Sequence, residues 1–232
     1  MGNLELIIWM SNNGCTWNEE CAYIAAQNGY FEILKWLKSN NCTFNHRATF
    51  GAAKGGFMNI LLWLMNNNLF WNNAVYNGAA RGGHIEIMDW AESNNFPWND
   101  QVTIHAAEQG HTKILDWAIA HGHSIHENVI RKAICYQQWG VVEWLEKNGF
   151  EKNELASLGV IDSGDKYLFI KLKERGYPLG NGTFLRVVTL GYIDFLDVLL
   201  KLGCTYPENV IELATNMNCD QWTLNWLENN CK

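Results

Sequence analysis

The stretch "HGHSIH" sets His121, His123 and His126 in one short loop, and three imidazoles that close together could hold a metal ion. His84, His105 and His111 add candidates for acid–base work, because histidine is the usual general base near neutral pH. Cys135, beside Tyr136, is a lone thiol. Four of the histidines have a plainer explanation in the spacing of the chain, and the lone thiol at Cys135 reads as an inert surface cysteine. His121 stands in a turn position that other copies of the same pattern fill with Asn, His126 stands where those copies carry a capping Asn, and His84 and His111 lie 27 residues apart in one column. A catalytic centre breaks a periodic pattern locally, and nothing here does so. The expectation is a chain without enzymatic activity, with no catalytic residue, no metal and no cofactor.

The pattern itself is written most clearly in residues 25–36 "AAQNGYFEILKW", 52–63 "AAKGGFMNILLW", 79–90 "AARGGHIEIMDW" and 106–117 "AAEQGHTKILDW". Trp9, Trp36, Trp63, Trp90, Trp117 and Trp144 follow one another at 27-residue intervals, and the column continues as Lys171 and Val198 before slipping by one to Trp226. A period of this length is the mark of a repeat architecture. The glycine of each "AAxxG", from Gly29 to Gly191, predicts the left-handed stop of a first helix. After it, apolar residues three and four apart predict a second helix with one buried stripe. Asn18, Asn45, Asn72, Asn99 and Asn153 stand as N-caps of the next first helix, several of them followed by acidic residues that suit the helix dipole. Two short helices cannot bury their stripes alone and must stack on neighbouring pairs. The fold class predicted is therefore all-α, an α-solenoid of helix-turn-helix repeats with eight first and nine second helices. It forms a single domain over 1–232: a half repeat at 1–16, then eight 27-residue repeats with the last slightly shortened. A leucine-rich repeat has a similar period but needs an L-x-x-L-x-L strand in each copy, and none recurs.

Most of the twelve tryptophans read as core, with the columns at 9 + 27n and 17 + 27n interlocking the layers. Trp139 and Trp222 fall outside those columns. Seventeen basic against 24 acidic residues give a net charge of −7, the wrong balance for a nucleic-acid backbone binder. Seven Cys residues without any C-x-x-C pair read as free thiols of a reducing compartment. No apolar run reaches the length of a membrane span, and "MGNLELIIWM" has no signal-peptide anatomy. An intracellular, cytoplasmic protein with no nucleic-acid or membrane partner is expected.

The phrase "AAxxGHxEIxxWLxxNGxxxN" resembles the ankyrin repeat. "GGHIEIMDW" and "QGHTKILDW" carry its Gly-His, "TIHAA" at 103–107 keeps a trace of its first-helix motif, and "GCTWN" at 14–18 stands where GADVN would. An ankyrin repeat spans about 33 residues. The shorter distance from Asn18 to Ala25 implies that the projecting β-hairpin finger is missing. Trp-rich repeats of this shortened kind look like the ankyrin-type arrays of giant DNA viruses, amoebae and oomycetes. The likeness is strong over 2–150 and weaker over 151–232, where the Ala pair becomes Val160-Ile161 and Val187-Val188.

Ankyrin arrays bind proteins, so the resemblance implies a non-catalytic interaction module, such as a viral adaptor in the host cytoplasm. The alternative is a self-associating assembly protein of a viral particle. With the finger gone, the concave side is lined by first helices, and the positions that vary while the lattice stays fixed are the natural recognition positions. These are Tyr23, Arg47, Phe50, Lys54, Asn77, Arg81, Gln101, Glu108 and Arg131. Gly51 and Gly78, inside first helices, suggest close approach of something. At the N-terminal edge Leu4, Leu6, Ile7 and Ile8 have no first helix before them and suggest a surface covered by a partner or a second copy.

Overall fold

The computed structural model describes residues 2–231, and among these the chain is helical with no strand. Its contacts divide it into two compact units, 1–126 and 127–232. The first unit runs α1 (Leu4–Asn12), α2 (Glu19–Gln27), α3 (Phe31–Ser39), α4 (His46–Gly55), α5 (Met58–Asn66), α6 (Val75–Gly82), α7 (Ile85–Ser93), α8 (Gln101–Gln109) and α9 (Thr112–Ala120). The second runs α10 (Val129–Cys135), α11 (Trp139–Lys147), α12 (Leu155–Ser163), α13 (Leu168–Glu174), α14 (Asn181–Leu190), α15 (Ile193–Lys201), α16 (Val210–Asn216) and α17 (Gln221–Asn230). Even-numbered helices are the first helices and odd-numbered ones the second. Among the described residues there are eight and nine, as the spacing predicts. Within each unit first helices pack on the first helices of adjacent hairpins, and each hairpin closes on itself, which is the arrangement of an α-solenoid.

The turns show why the register survives even where the letters fade. Among the described residues, five non-glycine and eleven glycine residues have positive φ, and all of them fall in two columns, 14 + 27n and 29 + 27n. The second column ends the first helices, with the amide of the following residue returning to the carbonyl four residues before the stop, as in Tyr30 to Ala25, Phe57 to Ala52 and Cys219 to Ala214. Gln137 (φ 55°) and Asn218 (φ 54°) hold the same conformation without being glycine. The first column ends the second helices. There the side chains of Asn13, Asn40, Asn67, Asn94 and Asn148 each donate to the carbonyl of the Trp four residues earlier. Asn18, Asn45, Asn99 and Asn153 cap first helices by accepting from amides two residues on. Asn72 departs from the expectation: it opens a 3-10 turn (Asn72–Ala74) with no side-chain cap, and α6 starts only at Val75.

The core is columnar. In second helices it consists of Ile33, Ile60, Ile87, Ile114, Val141, Leu168 and Phe195, of their C-terminal neighbours from Leu34 to Leu196, and of the Leu37 column, all buried. Each fully buried side chain of this size contributes about 1.5–3 kcal/mol. In first helices the core column from Ala25 to Ala214 is buried throughout. The tryptophans are not this core. Only Trp117 of the 9 + 27n column is buried, Trp36, Trp63, Trp90, Trp144 and Trp226 are half-buried, and Trp9 is 62% exposed. The reason is angular: at 100° per residue the Trp position sits about 100° from the middle of the stripe formed by positions 33, 34 and 37. The Trp therefore lies on its flank. From there the rings do interlock layers, since Trp17 meets Trp36 edge-on at 5.7 Å, Phe44 meets Trp63 at 6.3 Å and Trp98 stacks on Trp117 at 6.0 Å. Of the two tryptophans outside the columns, Trp139 receives Lys171 over its face at 3.5 Å and Trp222 is exposed. Lys171 is the residue that replaces Trp in the column.

Candidate protein-binding face

The histidine loop resolves into separate packing roles. His121 donates from Nδ1 to the Trp117 carbonyl at 2.8 Å, the bond Asn makes elsewhere in its column, and stacks on the Trp117 ring at 3.9 Å. His123 lies flat on Trp98 at 3.8 Å, and burial lowers its pKa, with Glu92 opposing and His121 assisting. The His126 backbone amide donates to Thr103 Oγ1. Among the described residues no group of three His, Cys, Asp or Glu converges as metal ligands. His84 donates from Nε2 to the Lys54 carbonyl, and a Cβ built on Gly56 would meet the His84 ring. His111 covers Gly83 in the same way, as Phe57 covers Gly29, so these positions serve the turns.

The first-helix face of the first unit gathers most of the predicted recognition residues. What positions them is the glycine column. A Cβ on Gly51 would meet the Tyr23 carbonyl oxygen at 2.8 Å, and one on Gly78 would meet the Phe50 carbonyl oxygen at 2.5 Å. Backbone touches backbone at these points, so α4 is seated on α2 and α6 on α4 at a spacing that brings successive recognition columns into contact. Gly159 plays this part in the second unit, where a Cβ would meet the Arg131 carbonyl oxygen. The close approach anticipated from Gly51 and Gly78 is therefore that of the neighbouring helix.

Along this face the side chains form a continuous ladder. Arg47 donates to the Glu20 carboxylate through both terminal guanidinium nitrogens and lies over the Tyr23 ring at 4.6 Å. Tyr23 is 6.5 Å from Phe50, and Phe50 meets His105 at 6.4 Å, nearly edge-on. His105 Nδ1 lies 3.3 Å from Glu108 Oε2, and Arg81 reaches the same oxygen at 3.4 Å. Lys54 has a lowered pKa, first through burial and second through the charge of Arg81. Tyr23, Arg47, Phe50, Lys54, Asn77 and Arg81 are half-buried and Gln101 is exposed. Glu108 is only 8% exposed, so it acts on the surface through Arg81 and His105. The side-chain amide oxygen of Asn77, Oδ1, is buried without a hydrogen-bond partner. Arg131 belongs to the second unit, where it grips Asp162 through Nε (2.6 Å) and a terminal nitrogen (3.0 Å), and that bond raises its pKa.

His105, in the ladder of the first unit, and Asp162, beside Arg131 in the second, join these pairings but are absent from the predicted recognition set. His105 occupies the column that holds Gly51 and Gly78, and its departure from Gly is the signal that could have marked it. Asp162 lies 31 residues from Arg131, one period plus four, and no column arithmetic singles it out. No protein-family model matches the chain, and no curated protein matches it.

Proposed function

We propose that the chain is a non-catalytic protein–protein interaction module, of the kind its resemblance to shortened ankyrin-type arrays implies, and that it binds through the first-helix face of its first unit. The observation that carries this reading is the ladder from Glu20 to Glu108. Two aromatic rings and three cations stand half-exposed on adjacent helices, with Arg47 held by Glu20 and Arg81 by Glu108, while the lattice beneath them is apolar and uniform. Arg and aromatic side chains dominate binding energy at protein interfaces, and bracing by Glu20 and Glu108 reduces the entropy lost when a partner orders them. No helix among the described residues is long and apolar enough to cross a membrane. The seven free thiols suit a reducing compartment, and the reading places the protein in the cytoplasm, the host's if the chain is viral.

The test is co-purification from the native cell with wild-type protein and with Arg47→Ala, Phe50→Ala and Arg81→Ala combined. A partner recovered with the wild type and lost with a triple variant of unchanged melting supports the face. Recovery of the same proteins by both removes it.

A further inference from the structure

The middle of the ladder carries one positive charge more than the ladder answers. α4 and α6 hold Arg47, Lys54 and Arg81 and no acidic residue, so the carboxylates that meet these cations come from the flanking helices. Glu20 on α2 takes Arg47, and Glu108 on α8 takes Arg81 at 3.4 Å. Glu19 is drawn off to the hydroxyl of Thr43. Lys54 is left with no carboxylate partner among the described residues; burial first, and the like charge of Arg81 second, lower its pKa. The backbone forces this neighbourhood. A Cβ on Gly78 would lie 3.2 Å from the Lys54 amide nitrogen, and one on Gly82 would strike the Lys54 carbonyl oxygen. Lys54 and Arg81 share one column a period apart, and this seating of α6 on α4 sets them side by side. Phe50 precedes Lys54 by one helical turn and stands half-buried between Tyr23 and His105.

We propose that Lys54 and Arg81, with Phe50 beside them, form a subsite for the side-chain carboxylate of an acidic segment of the partner protein, and that an apolar residue next to that carboxylate covers the Phe50 ring. The inference rests on the reading of this face as the interface. Charge complementarity defines the occupant. Three cations against two carboxylates leave one positive charge, which a single Asp or Glu neutralises. A phosphate group, at about −1.5 to −2 near neutral pH, would leave the same place net negative. The two oxygens of a carboxylate accept from two donors at once, so one side chain can span the ammonium of Lys54 and the guanidinium of Arg81. An anion there also screens Lys54 from Arg81, and its binding relieves a repulsion already present in the free chain. The aromatic ring alongside supplies the apolar contact that charge alone does not, since exposed ion pairs by themselves contribute little.

The experiment selects short random peptides displayed on phage against the purified full chain and measures the affinity of the enriched ones by fluorescence anisotropy. The expected result is an Asp or Glu next to an apolar residue in the enriched peptides, with Lys54→Glu weakening their binding by roughly tenfold or more. Changing that peptide residue to Lys should then restore binding to Lys54→Glu, a reversal that a folding defect would not produce. Peptides that are lost with the Arg47→Ala, Phe50→Ala and Arg81→Ala triple variant, yet bind Lys54→Glu as tightly as the native chain, overturn the carboxylate subsite and leave the binding face standing. Tighter binding when phosphoserine replaces the acidic residue overturns it as well, because a dianion would then be the occupant, and so does the absence of any enriched peptide. Enriched peptides indifferent to the triple variant overturn both the subsite and the face.

Discussion

Replacing Gly78 by Ala sets two terms of known sign against each other. Inside a helix, Ala is favoured over Gly by about 1 kcal/mol, so on propensity alone Gly78→Ala stabilises α6. Its added methyl would lie 2.5 Å from the Phe50 carbonyl oxygen and 2.7 Å from the Ala53 Cβ. Both atoms are fixed to the α4 backbone and cannot rotate aside. Relieving the overlap moves α6 off α4 by roughly half an ångström or more, and a gap of that size forfeits a quarter or more of the dispersion attraction across the interface. Overpacking of this kind costs about 1–3 kcal/mol. Because both contacts are with atoms fixed to the backbone, the cost falls in the upper part of that range, about 2–3 kcal/mol, and after the propensity gain of about 1 kcal/mol the net expectation is a loss of about 1–2 kcal/mol. Gly159→Ala should behave the same way against Arg131 and Ile134. Gly140→Ala is the control in α11, where an added methyl meets nothing within 4 Å, and it should gain up to about 1 kcal/mol. Urea unfolding followed by far-ultraviolet circular dichroism and Trp fluorescence reads both signs. Gly78→Ala and Gly159→Ala as stable as the native chain would refute the claim that first helices meet backbone to backbone at these residues.

Gln137→Gly should stabilise by about 1 kcal/mol, because it removes a long side chain from a left-handed backbone at φ 55°; an unchanged or lower urea midpoint would contradict this. Leu61→Ala, at a fully buried position, should cost about 2–5 kcal/mol. Trp63→Ala, at a half-buried position that touches Phe31 and Phe44, should cost about 2 kcal/mol and no more than Leu61→Ala, against the reverse order in the same melts if Trp were the core. Burial lowers the pKa of His123 from its ordinary 6.5, so the unfolded chain takes up its proton before the folded one does. The stability tied to this group is complete above about pH 6.5 and declines as pH falls through that value toward the lower folded pKa. Urea midpoints at pH 7.5 and 5.5 should show the decline in the wild type and a shallower one in His123→Gln, and equal slopes would dismiss the assignment.

The parts of the fold legible in the sequence are those that backbone stereochemistry dictates. A left-handed stop admits Gly freely and Asn tolerably, so the turns announced themselves as Gly29, Gly56 or Asn41 in fixed columns. Gln137 was legible only by its place in the column, since nothing in its chemistry predicts positive φ. The role of Trp was misread because periodicity shows that a position is constrained without showing what constrains it. A flank position that bridges layers recurs as faithfully as a core one. Among the predicted recognition residues, the columns located Tyr23, Arg47, Phe50 and Arg81 on one face, since the lattice alone sets that placement. Pairings across helices, such as Arg131 with Asp162 or Arg81 with Glu108, depend on side-chain reach and rotamer, which spacing does not encode. The burial of Glu108 follows from such a pairing.

One 27-residue helical hairpin repeated through the whole chain is the claim on which everything else rests, and backbone NMR tests it most directly. Chemical shifts and amide–Hα couplings report φ residue by residue, and the decisive positions are Gln137, Gly164, Gly191 and Asn218, where the letters of the repeat are faintest. Positive φ at all four, each flanked by helical shifts on both sides, is the predicted result. Continuous helix through Gln137 or Asn218, or strand shifts anywhere between residues 151 and 231, would contradict it.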